Sequence, residues 1–184
     1  MTEPTTANGK PGLTRPAPHE HAPYYCKYIE LVPEGDLIAI LGQQMEATLA
    51  VLDNVTEAQS LHRYAPGKWS LREALGHMID TERIFAYRLL RIARGDQTPL
   101  PGFEQDDYVT NGNWDARPWA DLLEEFSVVR RATACLIRGV QPAAWARMGT
   151  ASGNGLSARA AAYVIAGHEL HHMNVVRSLY LGER

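Results

Sequence analysis

The chain has 184 residues, 45% of them hydrophobic and 21% charged, the composition of an ordinary globular domain. Its 18 Lys and Arg against 21 Asp and Glu leave a net charge of -3, which excludes the broad basic field of a nucleic-acid binder. Two cysteines, Cys26 and Cys135, exclude a disulfide scaffold and point to a reducing compartment. No apolar run approaches the roughly 20 residues that a bilayer needs, so no membrane partner is expected. Met1–Lys10 is rich in Thr, Pro and Gly instead of basic and then apolar, and the expected location is cytoplasmic.

Residues 1–23 hold five of the eleven prolines and read as a flexible or surface-draped arm, leaving residues 24–184 as one domain. His19 and His21, between Pro18 and Pro23, are expected at the surface. The aromatic run from Tyr24 to Ile29 anchors the arm to the core. Pro33, Glu34 and Asp36 open a first helix over about 34–53, with Leu37, Leu41, Met45, Leu49 and Leu52 at helical spacing. Ser70 and Glu73 form the S-x-x-E capping box of a second helix, with Leu71, Leu75, Met78, Phe85, Leu89 and Ile92 as its stripe and Gly95 as its stop. Residues 96–117 form a long connection, and its Phe103, Tyr108 and Trp114 are the expected wall of a pocket. A third helix runs from Trp119 to Arg138, and residues 139–156 form a Gly- and Ser-rich loop. Ser157 caps a fourth helix over about 158–181. No strand-like alternation competes, so the fold class is all-α, a four-helix bundle.

Three of the seven histidines lie within five residues, His168, His171 and His172. The fourth helix places Ala161, Ile165, His168, His172, Val175 and Leu179 at spacings of four and three, a seam that faces the bundle interior. Histidines four apart stack on one helix face, close enough to bind one metal ion, which also satisfies their buried nitrogens. His171 points about 100° away and is expected as a flank, a supporting or an exposed residue. The run His168-Glu169-Leu170-His171-His172 also fits the H-E-x-x-H of zinc proteases. The extended protease motif fails, because Val175 stands in place of its glycine and Ser178 in place of its third histidine. A third ligand must then come from earlier in the chain. His77 in the second helix is one candidate, although a helical wheel sets it well off the apolar stripe, beside Ala74, Thr81 and Ile84. His62, in a turn before Pro66, is the other. Glu82 interrupts the stripe of the second helix and wants a partner such as Arg130 or Arg177. Asp80 either orients a ligand or is solvated.

The run from Lys68 to Arg83, Lys-Trp-Ser-Leu-Arg-Glu-Ala-Leu-Gly-His-Met-Ile-Asp-Thr-Glu-Arg, resembles the helix-two signature of DinB-like proteins. Gly167-His168-Glu169-Leu170-His171-His172 resembles their helix-four H-x-x-x-H. The likeness continues through Arg91–Asp96 and Pro101–Tyr108 and covers about residues 24–181. It implies a four-helix bundle of the DinB-like type with a divalent metal ion, nickel or zinc, held by His77, His168 and His172. It also implies a homodimer and a small-molecule substrate. The wider superfamily includes enzymes resembling mycothiol-dependent isomerases and bacillithiol S-transferases, so a low-molecular-weight thiol is an expected cosubstrate.

The expected function is that of a metal-dependent enzyme, either a hydrolase or a thiol S-transferase, because three histidines leave coordination positions open. Any thiol is borrowed, since neither Cys26 nor Cys135 lies on a histidine helix. The alternative is a non-catalytic metal-binding bundle with a stress-response role, and a metal-free bundle is the third reading. A DNA-repair role rests only on the family's damage-inducible name, and the acidic balance gives it no support.

Overall fold

The computed structural model describes residues 13–182, so residues 1–12 of the expected arm lie outside them. The chain runs through α1 (Cys26–Ile29), α2 (Leu37–Leu52), α3 (Glu57–Ser60), α4 (Leu71–Ala93), α5 (Gln105–Gly112), α6 (Trp119–Arg138), β1 (Met148–Ala151), β2 (Asn154–Ser157) and α7 (Ala158–Val175). The four long helices form the bundle. α4 packs against α6 and α7, and α2 closes the ring against the same two. α2 therefore faces α4 across the interior, and two of the three connections, α2 to α4 and α6 to α7, run diagonally.

Local chemistry sets the helix starts. The Ser70 side chain accepts from Glu73 N at 3.0 Å, and the Glu73 carboxylate accepts from Ser70 N at 2.8 Å. Ser157 accepts from Ala160 N at 3.0 Å and starts α7. Asp36 accepts from Ile38 N, so α2 begins at Leu37, three residues after the expected start at Glu34. Its buried face also differs from expectation. Gln44 and Thr48 are buried where Met45 and Leu49 are only half-buried, because their polar groups serve α7. Gln44 Nε2 donates to Ala166 O at 3.4 Å and Thr48 Oγ1 to Glu169 at 2.7 Å.

The two expected loops are structured. The 96–117 connection contains α5 and a 3-10 turn, Trp114–Ala116. The 139–156 loop contains an antiparallel hairpin in which Ala151 pairs with Asn154. Its two turn residues, Ser152 and Gly153, have φ of 51° and 75°, the left-handed pair that a two-residue hairpin turn needs. The last turn of the fourth helix is a π-turn, Val176–Tyr180. The extra residue in that turn rotates the seam, so Val176 is buried and Leu179, an expected seam position, is 49% exposed.

The described part of the expected arm, from Leu13 onward, lies against α7. Tyr163 donates its hydroxyl to Leu13 O at 2.9 Å, and buried Glu20 pairs with Arg159. His19 is exposed, but His21 is buried, contrary to expectation, with Nδ1 3.0 Å from Ala22 O.

The apolar core falls into two clusters. One joins Phe85, Leu89 and Ile92 of α4 to the Ala158–Ala166 stretch of α7. The other joins Leu71, Leu75 and Met78 of α4 to Phe126 of α6 and Met173 of α7. Between them a belt of polar side chains crosses the bundle, with members from all four long helices: Gln44, Thr48, His77, Thr81, Glu82, Arg130, His168 and Glu169.

Candidate metal centre

His168 and His172 stand one turn apart on α7 and face α4, where His77 meets them. His77 Nε2 lies 3.1 Å from His168 Nε2. The ring centroids are 4.9 Å apart for His77 and His168, 4.9 Å for His77 and His172, and 4.4 Å for His168 and His172. One nitrogen of each ring lies within 4.8 Å of those of the other two. His77 and His168 are 4% and 6% exposed, and His172 is half-buried.

His77 is off the main stripe of α4, yet it is buried because that helix buries two faces. Leu71, Leu75, Met78 and Leu89 pack in the two apolar clusters, while Ala74, His77 and Thr81 lie on a second buried face, from which His77 meets His168 of α7. The ring of Trp69 lies 4.8 Å from that of His77, and Tyr28 sits edge-on to His168 and His171, at 5.3 Å from each. Sequence reasoning missed both aromatic neighbours. Their signal was only adjacency: Trp69 precedes the capping box, and Tyr28 belongs to the anchoring run.

Burial drives the electrostatics. It holds His77 down to about 4. Burial, helped by the other imidazoles and Lys27, holds His172 down to about 3 and His168 well below the ordinary histidine range. At neutral pH all three rings are uncharged and keep a lone pair, the state that metal ligation requires. Three convergent neutral imidazoles form a donor set suited to a divalent transition-metal ion.

The other singled-out residues separate from this cluster. His62 is exposed and lies edge-on to Tyr180, away from it. His171 is half-buried and flanks His172, with ring centroids 5.1 Å apart. Glu82 is the partner of Arg130, at 2.7 Å, and Arg130 also reaches Glu169 at 2.6 Å. Burial lifts the Glu169 carboxyl above its usual range against the pull of Arg130. Glu169 is thus committed to Arg130 and Thr48; it lines neither of the two large cavities beside the histidines, only a gap of about 10 Å³ shared with His168 and Arg130, so it is not placed as the free general base that a zinc protease would need. Asp80 pairs with Arg83 at 3.6 Å.

Two cavities open beside the cluster. One, of about 390 Å³, is lined by His171, His172, Trp69 and Tyr180. The other, of about 410 Å³, is lined by His77, His168, Tyr28, Phe85 and Phe103. Asp106 of α5 borders both. Of the three aromatics expected as a pocket wall, Phe103 fills that role. Tyr108 leans on Phe103 at 5.2 Å, and Trp114 is buried beneath α4.

Diagonal connections around a buried three-histidine cluster define a class, a helical bundle with a candidate transition-metal centre. The chain belongs to the DinB superfamily, whose family model matches residues 40–176. Its structure is similar to that of YfiT from Bacillus subtilis, described as a probable metal-dependent hydrolase with an unusual four-helix bundle topology. The TM-score is 0.65 at 14% identity, over 94% of this chain and 96% of that one. It is also similar to a mycothiol-dependent maleylpyruvate isomerase, with a TM-score of 0.63 at 14% identity, over 79% of this chain and 61% of that one. No curated protein matches the chain in sequence.

Proposed function

We propose that this protein is a metal-dependent enzyme whose divalent ion, nickel or zinc, is held by His77, His168 and His172. The observation that carries the reading is the convergence of three uncharged, largely buried imidazoles beside two cavities of small-molecule size. A divalent ion at that point would supply a positive centre that acidifies a water or a thiol placed on it. The chain's own residues do the rest. The imidazoles keep their lone pairs because burial disfavours protonation. Tyr28 and Trp69 flank the cluster with aromatic surface that continues into the cavities. The cavities, one lined by His172 and the other by His77 and His168, would hold the organic substrate beside the ion.

Within this reading the reaction is a hydrolysis or the transfer of a low-molecular-weight thiol to an electrophile. The fold shared with a mycothiol-dependent enzyme supports the thiol alternative. The free Cys26 and Cys135 are not in the cluster, so the thiol comes from a cosubstrate. We propose a cytoplasmic homodimer, and sedimentation of the purified protein tests the assembly. The central experiment is elemental analysis of protein purified without a histidine tag, followed by assay with small thiols and electrophiles. The expected result is about one ion per chain and activity that is lost on chelation and restored by metal. Absence of stoichiometric metal overturns the proposal.

A further inference from the structure

Three arginines are buried among the described residues: Arg72, Arg88 and Arg130. Two have carboxylate partners, Glu57 for Arg72, and Glu82 with Glu169 for Arg130. Arg88, only 2% exposed, has none. Its Nη2 donates to Pro101 O and to Ser152 Oγ, each at 2.9 Å, and both acceptors are neutral. The Phe85 and Phe103 rings lie 4.9 and 5.9 Å from the guanidinium carbon. Those contacts orient the group without cancelling its charge, and its Nε and Nη1 donate to no other described residue. Buried charges are normally paired, and no described residue supplies a counter-charge to this guanidinium.

Its placement bears on what could supply one. His77, Thr81 and Arg88 follow one another on a single face of α4, and the last stands eleven positions after the first, about 16 Å of helix rise. All three line the same cavity of about 410 Å³. Thr81 Oγ1, between them, has no hydrogen-bond partner among the described residues. The walls near Arg88 are aromatic, from Tyr25, Phe85 and Phe103. The acidic side chains bordering the cavity, Glu104 and Asp106, are exposed on the rim and repel a multiply charged phosphate more than a single carboxylate.

We propose that Arg88 anchors a carboxylate at the far end of an elongated, partly apolar small molecule whose reacting end lies at His77 and His168. What happens at the histidine end rests on the catalytic reading above, whereas the carboxylate site does not. The probes are 4-phenylbutyrate and its neutral amide, titrated into chelator-treated and metal-replete protein and followed by amide NMR shifts. The acid is expected to bind at least about ten-fold more tightly than the amide, in both metal states, with shifts centred on Arg88 and Phe103. Arg88→Gln is expected to abolish that preference, and Arg88→Lys to restore part of it, with melting curves reporting the fold of each. Equal binding of acid and amide by the wild-type protein overturns the proposal whether or not the variants fold. So does failure of both to bind, or a preference that survives in Arg88→Gln. Loss of metal binding with the acid preference intact overturns only the catalytic reading.

Discussion

His172 and His171 are adjacent in sequence, and the difference between them is one of direction. His172 faces His77 and His168, while His171 turns toward Tyr28. His172→Ala is therefore expected to lose stoichiometric metal and His171→Ala to retain it; equal metal content in the two variants, by elemental analysis, would contradict the assignment. Arg130 makes the second residue-level test. It is the shared cation of two buried carboxylates, so Arg130→Met should cost about 3–5 kcal/mol of stability in urea unfolding, because Glu82 and Glu169 are left buried without a counter-charge. Much of this was legible from residue types. Two histidines in an apolar seam pointed to the cluster, and a glutamate in a stripe pointed to a buried ion pair, with Arg130 or Arg177 as the partner; the structure selects Arg130. His77 was not legible from periodicity alone, because a wheel marks one apolar face and α4 buries two. The family resemblance, with its histidine in the second helix, was what pointed to it. Arg88 went unremarked for the same reason, since a single arginine on a helix ordinarily reads as solvated.

At the scale of elements, the close approach of α1 to α7 depends on a missing side chain. A Cβ on Gly167 would fall 2.0 Å from Tyr28 O, inside van der Waals contact with backbone that cannot swing aside. Gly167→Ala should therefore destabilise by at least about 1–3 kcal/mol and displace Tyr28 from the histidines. Gly42 in α2 is the control, with nothing within 4 Å of its Cβ position. Gly42→Ala should stabilise by about 0.5–1 kcal/mol, read by the same thermal or urea melts. The start of α4 and the whole extent of α6 were readable in the chain, because capping residues and an apolar period act locally. The hairpin was not, because each strand has only four residues and carries a glycine, Gly149 in one and Gly155 in the other. It is also bridged by Leu100, which pairs with Ala151 from a distant part of the chain. The π-turn was hidden likewise, since a single added residue leaves no compositional trace.

Over the whole molecule, the described part of the N-terminal segment is joined to the bundle by an ion pair with a defined pH response. Burial pushes the Glu20 carboxyl upward, but Arg159 and the backbone of Ala17 outweigh it and hold the group at about 2. A carboxylate depressed in the folded state contributes stability above its unfolded value of about 4.5 and loses it as the pH falls through about 2. Unfolding free energy should drop by roughly 3 kcal/mol at most across that window, and Glu20→Gln should flatten this part of the profile. The two cavities have a consequence for rate laws. They border different members of the histidine cluster, His172 in one case and His77 with His168 in the other. On the proposed catalytic reading, two reactants would each occupy one of these cavities, without one having to leave before the other arrives. A group transfer at this centre would run through a ternary complex, giving intersecting double-reciprocal plots, whereas a ping-pong enzyme gives parallel ones.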